Sequence, residues 1–297
     1  MYPAPFRYHR AGSVVEASRM LADLGEESRA LAGGQSLLVL MKVRFEQPGD
    51  LVDLGRIPGL NKLERSGGEI RIGALATHAA IARSDVATLV PIVGDCARGI
   101  ADNQVRSRGT IGGNLASGDP SCDWPALLTT LDAKVHCEGP GGKRTVPVDE
   151  LVESLYATVL GPAEIITGVS FAVPGKNSAG AYVGFKRCAP AYPTSSVGVQ
   201  LTLDGSDCVD VRIALGSSGL TPIHAIGAEA ELRGKPMNAN LIERAAEAAV
   251  AAADPVDDQR GSPEFKRSLI RVLVRRAVDV ARRRCAGEQV EVGHEYY

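Results

Sequence analysis

Closely spaced cysteines and histidines are missing from this sequence. No C-x-x-C or H-E-x-x-H occurs, and the five histidines are scattered. Structural zinc sites and iron–sulfur clusters need thiolate or imidazole ligands at short, regular spacings. We therefore expect no metal site in this chain, and we expect its cysteines to be free thiols in a reducing compartment. The cysteines are Cys96, Cys122, Cys137, Cys188, Cys208 and Cys285.

Long apolar runs and an excess of charge are also missing. No stretch approaches the ~20 apolar residues that span a bilayer, and the N-terminus MYPAPFRYHR lacks the apolar core of a secretory signal. The formal net charge is −2, which gives no reason to expect nucleic acid or an anionic membrane as a partner. The sequence thus predicts a cytoplasmic protein with no transmembrane segment.

Two common nucleotide-binding motifs and the hydrolase triad are absent too. No G-x-G-x-x-G follows a predicted strand, and no G-x-x-x-x-G-K-[ST] occurs. Ser117 and Ser121 lie near Asp119 and Asp123, but no histidine is close in sequence. Sequence spacing therefore indicates no catalytic acid, base or nucleophile, and a triad assembled only by the fold stays open.

Periodicity and turn residues divide the 297 residues into two domains and a tail. Residues 1–175 are predicted to mix short helices and strands, with Ser13 and Thr77 as helix caps. Within them, residues 101–125 have little periodicity and are predicted to form a long loop, which is usually functional. Residues 180–285 predict three antiparallel strands, with a hairpin turn at Gly205, followed by helices, the last capped by Ser262. The result is an α+β domain. Residues 286–297 remain as a tail.

The last predicted helix, residues 262–284, is rich in lysine and arginine. One interpretation is an ordinary solvated face. The other is a surface for an acidic partner subunit.

Two glycine pairs are the strongest chemical signals in the sequence. They stand in Ala-Gly-Gly-Gln-Ser at residues 32–36 and in Thr-Ile-Gly-Gly-Asn at residues 110–114. Paired glycines let the backbone approach a ligand closely and aim successive N–H groups at it. Two such turns in one domain would suit a diphosphate, although a single Gly-Gly pair is more often only a turn.

These segments resemble a known family. AGGQSLL at residues 32–38 and VRSRGTIGGNLASGDPSCDWPALL at residues 105–128 closely resemble the FAD-binding medium subunits of the xanthine oxidase and aerobic carbon monoxide dehydrogenase family. The resemblance covers nearly the whole chain, including the opening YPAPFRYHRAGSVVEA. It implies a two-part FAD-binding fold of the vanillyl-alcohol oxidase (PCMH) type in residues 1–175, with subdomains of about 1–55 and 56–175. It also implies a domain similar to the C-terminal domain of the carbon monoxide dehydrogenase flavoprotein in residues 180–285.

The resemblance also implies a non-covalent FAD site. Asp123 is expected to hydrogen-bond the ribityl chain, and Leu160 to pack near the flavin. Lys186 is expected close to the isoalloxazine, and Tyr192 to cover one ring face. The residues expected around the pyrophosphate are Ala32, Gly33, Gly34, Gln35, Ser36 and Leu37 from the first turn, and Thr110, Ile111, Gly112, Gly113 and Asn114 from the second.

The implied function is electron transfer inside a molybdenum hydroxylase. A small partner subunit would hold [2Fe–2S] clusters and a large one the molybdenum cofactor, in a dimer of heterotrimers. FAD on this chain would pass electrons to an external acceptor. Neither the substrate of the complex nor the acceptor follows from the sequence. Two alternatives remain: a stand-alone FAD-dependent reductase of the same fold that uses NADPH, and a scaffold subunit without flavin.

Overall fold

The computed structural model describes residues 2–292 and the backbone of residues 295 and 296. It contains the predicted mixture of helices and sheets. The N-terminal part has a three-stranded sheet, a five-stranded sheet and a separate two-stranded pair, and the C-terminal part has one five-stranded sheet. The predicted tail lies partly outside the described residues, at positions 293, 294 and 297. No helix in the described ranges is long and apolar enough to cross a bilayer.

A small parallel sheet opens the chain. Its strands β1, β2 and β3 lie in the order β1-β3-β2, with α1 and α2 as the connecting helices. Ser13 caps α1 as predicted, because its hydroxyl accepts a hydrogen bond from Glu16 N at 3.1 Å. Ala17, Leu21 and Val52 belong to the core between α1 and the sheet. The bounds are β1 Arg7–Arg10, α1 Val14–Leu24, β2 Ser28–Leu31, α2 Leu37–Lys42 and β3 Asp50–Asp53.

An antiparallel sheet of five strands follows, in the order β4-β5-β10-β6-β7. Its helices pack around Trp124, which is fully buried. The strands are β4 Leu63–Ser66, β5 Glu69–Gly73, β6 Lys134–Gly139, β7 Gly142–Pro147, the short pair β8 Val152–Ser154 and β9 Ala157–Thr158, and β10 Ile165–Ala172. The helices are α3 His78–Ala82, α4 Asp85–Leu89, α5 Pro91–Gly99, α6 Asn103–Arg108, α7 Ile111–Ala116 and α8 Asp123–Thr130.

The prediction of one long loop over residues 101–125 is wrong. That stretch contains α6 and α7, and it ends where α8 begins. Both helices begin at side-chain caps: Asp102 accepts from Val105 N at 2.8 Å, and Thr110 accepts from Gly113 N at 3.1 Å. Each helix has only six residues, too few for an apolar repeat to be read from the sequence.

The C-terminal domain has the three predicted antiparallel strands, β11, β12 and β13, and the predicted hairpin turn at Gly205, whose φ is 58°. Two short strands that the sequence did not predict extend the sheet at its edges, in the order β14-β13-β12-β11-β15. One of them, β15, comes from the predicted tail and pairs in parallel with β11. The bounds are β11 Ser178–Lys186, β12 Ser195–Asp204, β13 Asp207–Gly216, β14 Ile223–His224, α9 Ile226–Leu232, α10 Ala239–Ala252, α11 Pro263–Cys285 and β15 Glu295–Tyr296.

The basic face of α11 is largely paired within the chain. Arg271 forms an ion pair with Glu247, and Arg275 Nη1 lies 3.0 Å from Glu243 Oε2; both glutamates are on α10. These pairs neutralise part of the charge that would attract an acidic partner. The structure therefore favours the interpretation of this face as a solvated surface.

Candidate cofactor-binding site

The first glycine turn offers a row of free amides. Residues 32–36 connect β2 to α2, and none of their backbone N–H groups donates a hydrogen bond to another described residue. Gly34 has a φ of 74°, and a Cβ built on it would lie 2.8 Å from Leu38 Cδ1. Glycine is therefore required there. Free, adjacent N–H groups in a turn form a concave site for anions.

The second turn differs from the expectation of an equivalent amide cradle. Gly112 N donates to Ala74 O at 2.8 Å, and Gly113 N donates to the capping Thr110 hydroxyl. The next amide, from Asn114, bonds Thr110 O. What this turn presents instead is an exposed Gly113 and the buried oxygen Asn114 Oδ1, which has no hydrogen-bond partner among the described residues.

The two turns are adjacent. A Cβ built on Gly33 would lie 2.1 Å from the Arg108 carbonyl oxygen, so only glycine permits this approach. A Cβ on Gly113 would lie 3.8 Å from Ala32 Cβ, so that a longer side chain at 113 would enter the space between the turns. The proximity that a shared diphosphate site requires is thus present.

Asp123 and Lys186 are both buried where the two domains meet. Asp123 begins α8, and its Oδ1 accepts a hydrogen bond from the Tyr182 hydroxyl on β11 at 3.1 Å. Burial raises the pKa of Asp123, although the Lys186 ammonium and the Tyr182 hydroxyl act in the opposite direction. Lys186 ends β11, is only 2% exposed, and donates to Gly99 O.

Tyr192 lies where the C-terminal domain meets the first glycine turn. Its hydroxyl lies beside the side chains of Ser36, at the end of the first turn, and of Asp119, which follows α7. Partial burial, the Cys122 thiol and the Asp119 carboxylate raise the pKa of Tyr192. Tyr192 as a whole is 44% exposed.

Leu160 packs against the core of the five-stranded sheet. Its expected place beside a flavin stays a prediction, as do the cofactor contacts of the other predicted residues.

No sequence pattern indicated His78 as a site residue. Its backbone N–H donates to Gly109 O at 3.0 Å, directly before the second turn, and its Nδ1 accepts from Trp124 Nε1 at 3.0 Å, directly after Asp123. Burial, assisted by the charge of Arg106, lowers the pKa of His78 to about 4. A neutral imidazole therefore joins the second turn to α8.

Arg260 is a second residue that sequence reasoning missed. It lies between α10 and α11, and its guanidinium donates to the Ser121 hydroxyl at 2.7 Å and to Pro193 O at 3.4 Å. Since Ser121 is 139 positions away in the chain, no local pattern could have indicated the contact.

Two family models cover most of the chain. The model described as the FAD binding domain in molybdopterin dehydrogenase matches residues 4–174, and that of the CO dehydrogenase flavoprotein C-terminal domain matches residues 180–281. The chain belongs to the FAD-binding family of molybdopterin dehydrogenases. The resemblance found in the sequence is confirmed.

Individual members of this family are similar over their full length. The carbon monoxide dehydrogenase medium chain of Hydrogenophaga pseudoflava is 36% identical, over 96% of this chain and 100% of that one. The nicotine 6-hydroxylase medium subunit of Paenarthrobacter nicotinovorans is 37% identical, over 92% and 95%. A solved structure of the Hydrogenophaga carbon monoxide dehydrogenase that lacks the Mo-pyranopterin moiety superposes with a TM-score of 0.94, over 96% of this chain and 100% of that chain, at 37% identity.

The residues present fit the FAD that the family implies. The free amides of residues 32–36 suit phosphate oxygens, and a side chain at Gly113 would fill the gap between the turns. The unpartnered Asn114 Oδ1 is a buried acceptor awaiting a donor, which a ligand hydroxyl could supply. Within the described residues, no group of three or more histidine, cysteine, aspartate or glutamate side chains is arranged to hold a metal ion.

Proposed function

We propose that this chain is the FAD-carrying medium subunit of a molybdenum hydroxylase. It would take electrons from the [2Fe–2S] clusters of a partner subunit and deliver them to an external acceptor. The observation that carries the proposal is the pair of adjacent glycine turns, one with free amides, in a chain that aligns with medium subunits from end to end. When bound, FAD supplies the ability to accept electrons singly and to release them singly or in pairs.

The residues of this chain would bind and orient the cofactor. The amides of residues 32–36 would hold the diphosphate, and Asn114 and Asp123 would accept hydrogen bonds from ligand hydroxyls. Lys186 would place a buried positive charge near the isoalloxazine, where it favours added negative charge. Tyr192 would cover one face of the ring and exclude water. No proton transfer to a substrate is required of any of them.

The substrate is proposed to be chosen elsewhere in the complex. Relatives of similar identity are medium subunits of enzymes named for carbon monoxide and for nicotine. Since chains so alike serve such different enzymes, the chemistry that selects the substrate should belong to the large molybdenum subunit.

We further propose a dimer of heterotrimers with large and small subunits, a cytoplasmic location, and non-covalent attachment of FAD. The domain limits, 1–175 and 180–285, are retained as proposals. Size-exclusion chromatography of the co-expressed subunits and fractionation of cells test assembly and location.

The alternatives are separable by experiment. A scaffold without flavin would purify colourless and bind no FAD, whereas the proposed subunit should show flavin absorption bands at about 370 and 450 nm. A stand-alone reductase would oxidise NADPH in the absence of partner subunits. The proposed subunit should not, because it would receive its electrons from iron–sulfur clusters.

Titration of the full chain with FAD tests the site itself. Gly113→Val should weaken FAD binding at least about tenfold, because its side chain would enter the space between the turns. Gly175→Val is the matched control, since nothing lies within 4 Å of a Cβ at that position. Absence of FAD from the wild-type chain in complex with its co-expressed partner subunits, or normal FAD binding by Gly113→Val, would contradict the proposal.

A further inference from the structure

We infer that Arg260 is a positioning residue that holds Tyr192 over the cofactor site. The inference rests on the proposed function, since it concerns how that site is closed. It adds a residue from a loop of the C-terminal domain, far from both glycine turns in the sequence.

The guanidinium of Arg260 joins three segments. Its Nη1 donates to the Ser121 hydroxyl at 2.7 Å and to Pro193 O at 3.4 Å. Ser121 stands two residues before Asp123, and Pro193 directly follows Tyr192. One rigid, planar group thus ties the segment that carries Asp123 to the loop that carries Tyr192.

Arg260 is itself held in place. Its Nε and Nη2 donate to Asp258 Oδ2 at 3.0 and 2.8 Å, and its backbone N–H donates to Asp258 Oδ1 at 2.8 Å. The same carboxylate lies 2.9 Å from the Nζ of Lys266, which is only 2% exposed and also donates to Val256 O. The side chain is therefore fixed before any ligand arrives, which is what a positioning group requires.

Two cations share this single carboxylate. Arg260 and Lys266 together carry one positive charge more than Asp258 neutralises. Arg260 lies close enough to the exposed Tyr156 for its charge to lower the pKa of that phenol. Burial and Asp119 raise the same pKa, and their effects are larger. The excess charge thus lies near Tyr156 and against the segment that carries Ser121.

The domains do not depend on Arg260 for their contact. Arg284 and Asp95 form a separate buried ion pair between α11 and α5, and Tyr182 bonds Asp123. The loop of Tyr192 has one further contact with the Arg260 loop, from Arg187 Nη1 to Gln259 O at 3.0 Å. Removing the Arg260 guanidinium should therefore free the Tyr192 loop while leaving the domains docked.

The test measures bound FAD in the full chain. A phenol stacked on the isoalloxazine quenches its fluorescence, so the fluorescence of bound FAD reports the position of Tyr192. Arg260→Ala should raise that fluorescence several-fold and weaken FAD binding about tenfold, the effect of losing charge-assisted hydrogen bonds. Arg260→Lys should restore the quenching only in part, because an ammonium cannot make the forked contacts. Arg271→Ala, which removes an exposed pair on the following helix, α11, should match wild type.

A double-variant cycle separates positioning from general stability. In a Tyr192→Ala background, Arg260→Ala should have little further effect on fluorescence or affinity, because the group it positions is gone. Additive effects, or unchanged fluorescence in Arg260→Ala, overturn the inference. If Arg260→Ala does not fold, Ser121→Ala decides, and normal fluorescence in that variant overturns it equally. Absence of FAD from the wild-type chain in complex with its co-expressed partner subunits would instead refute the proposed function.

Discussion

The buried ion pair between the two domains gives the largest expected stability effect. Arg284, at the end of α11, contacts Asp95 of α5 through two hydrogen bonds, of 2.6 and 3.0 Å. The two side chains are 6% and 0% exposed. Arg284 also donates to Gly180 O at 2.7 Å and to Val290 O at 2.6 Å. Arg284→Met would strand a buried carboxylate and two carbonyl oxygens.

The expected loss is about 3–5 kcal/mol of unfolding free energy for Arg284→Met, the usual effect of removing one partner of a buried pair. Arg98, whose Nη2 lies 3.5 Å from Asp95 Oδ1, can compensate only in part. Asp95→Leu should cost about 3 kcal/mol, since Arg284 keeps its two carbonyl acceptors. The double variant should lose only about 1–3 kcal/mol, because no unpaired charge remains and only the carbonyls lack donors.

Burial raises the pKa of Asp95 above its ordinary 3.8, although Arg284 acts in the opposite direction. The folded chain therefore gains stability from the protonated carboxyl below pH 3.8, and it loses this gain as the pH rises through the raised pKa. At pH 7 the charged Asp95 thus lowers the unfolding free energy. Removing both partners of the pair also removes this unfavourable charge, which agrees with the small loss of unfolding free energy expected for the double variant.

Urea unfolding at pH 7, followed by circular dichroism, measures these differences. Arg271→Met is the control from the same helix, and its exposed pair with Glu247 should be worth less than about 1 kcal/mol. A loss below about 1 kcal/mol for Arg284→Met, or a double variant equal to the sum of the single variants, would refute the reasoning.

Three further predictions concern single groups. As the pH falls from 6.5 to about 4, the wild-type chain should lose about 3 kcal/mol of unfolding free energy through His78, because the unfolded chain takes up a proton that the buried ring does not. In urea titrations across that range, His78→Asn should lack this pH dependence of the unfolding free energy. Although partial burial raises the pKa of Asp258, hydrogen bonds from Lys266 and Arg260 lower it to about 2. The carboxylate should therefore contribute about 2 kcal/mol of unfolding free energy above pH 3.8, and this contribution should vanish towards pH 2. Asp258→Asn should lack the contribution at pH 7. Gly34→Ala should lower the unfolding free energy by about 1–2 kcal/mol, because alanine is strained at the φ of 74° found there. Gly227→Ala, in helix α9, should instead stabilise the chain slightly. Equal shifts of the melting temperature for the two variants would contradict this prediction.

Local signals predicted much of the fold. Ser13, Thr77 and Ser262 were all predicted as helix caps, and each accepts the expected hydrogen bond from an N–H three residues later. Such a contact depends only on neighbouring residues, so the sequence contains the whole cause. Short elements were missed for the opposite reason: β14 and β15 have two residues each and exist because β13 and β11 offer them edges to pair with.

The candidate site divides in the same way. The turn at residues 32–36 was predicted from its own glycines, and its free amides agree with that interpretation. In the second turn, the amides of Ile111 and Gly112 donate to Ala76 O and Ala74 O, which stand far away in the sequence. The amides of Gly113 and Asn114 donate to the capping Thr110. His78 and Arg260 act through such distant partners as Trp124 and Ser121, so their roles became visible only with the fold.

The meeting of Tyr192 with Ser36 and Asp119 has a thermodynamic consequence. A molecule lodged among these three side chains touches both domains at once, so its binding free energy also resists their separation. The linkage is reciprocal. Dissociation of the molecule should make the loop around Tyr192 more mobile, and greater mobility of the loop should speed dissociation. Retention of cofactor through a purification and resistance of residues 188–193 to protease should consequently rise and fall together.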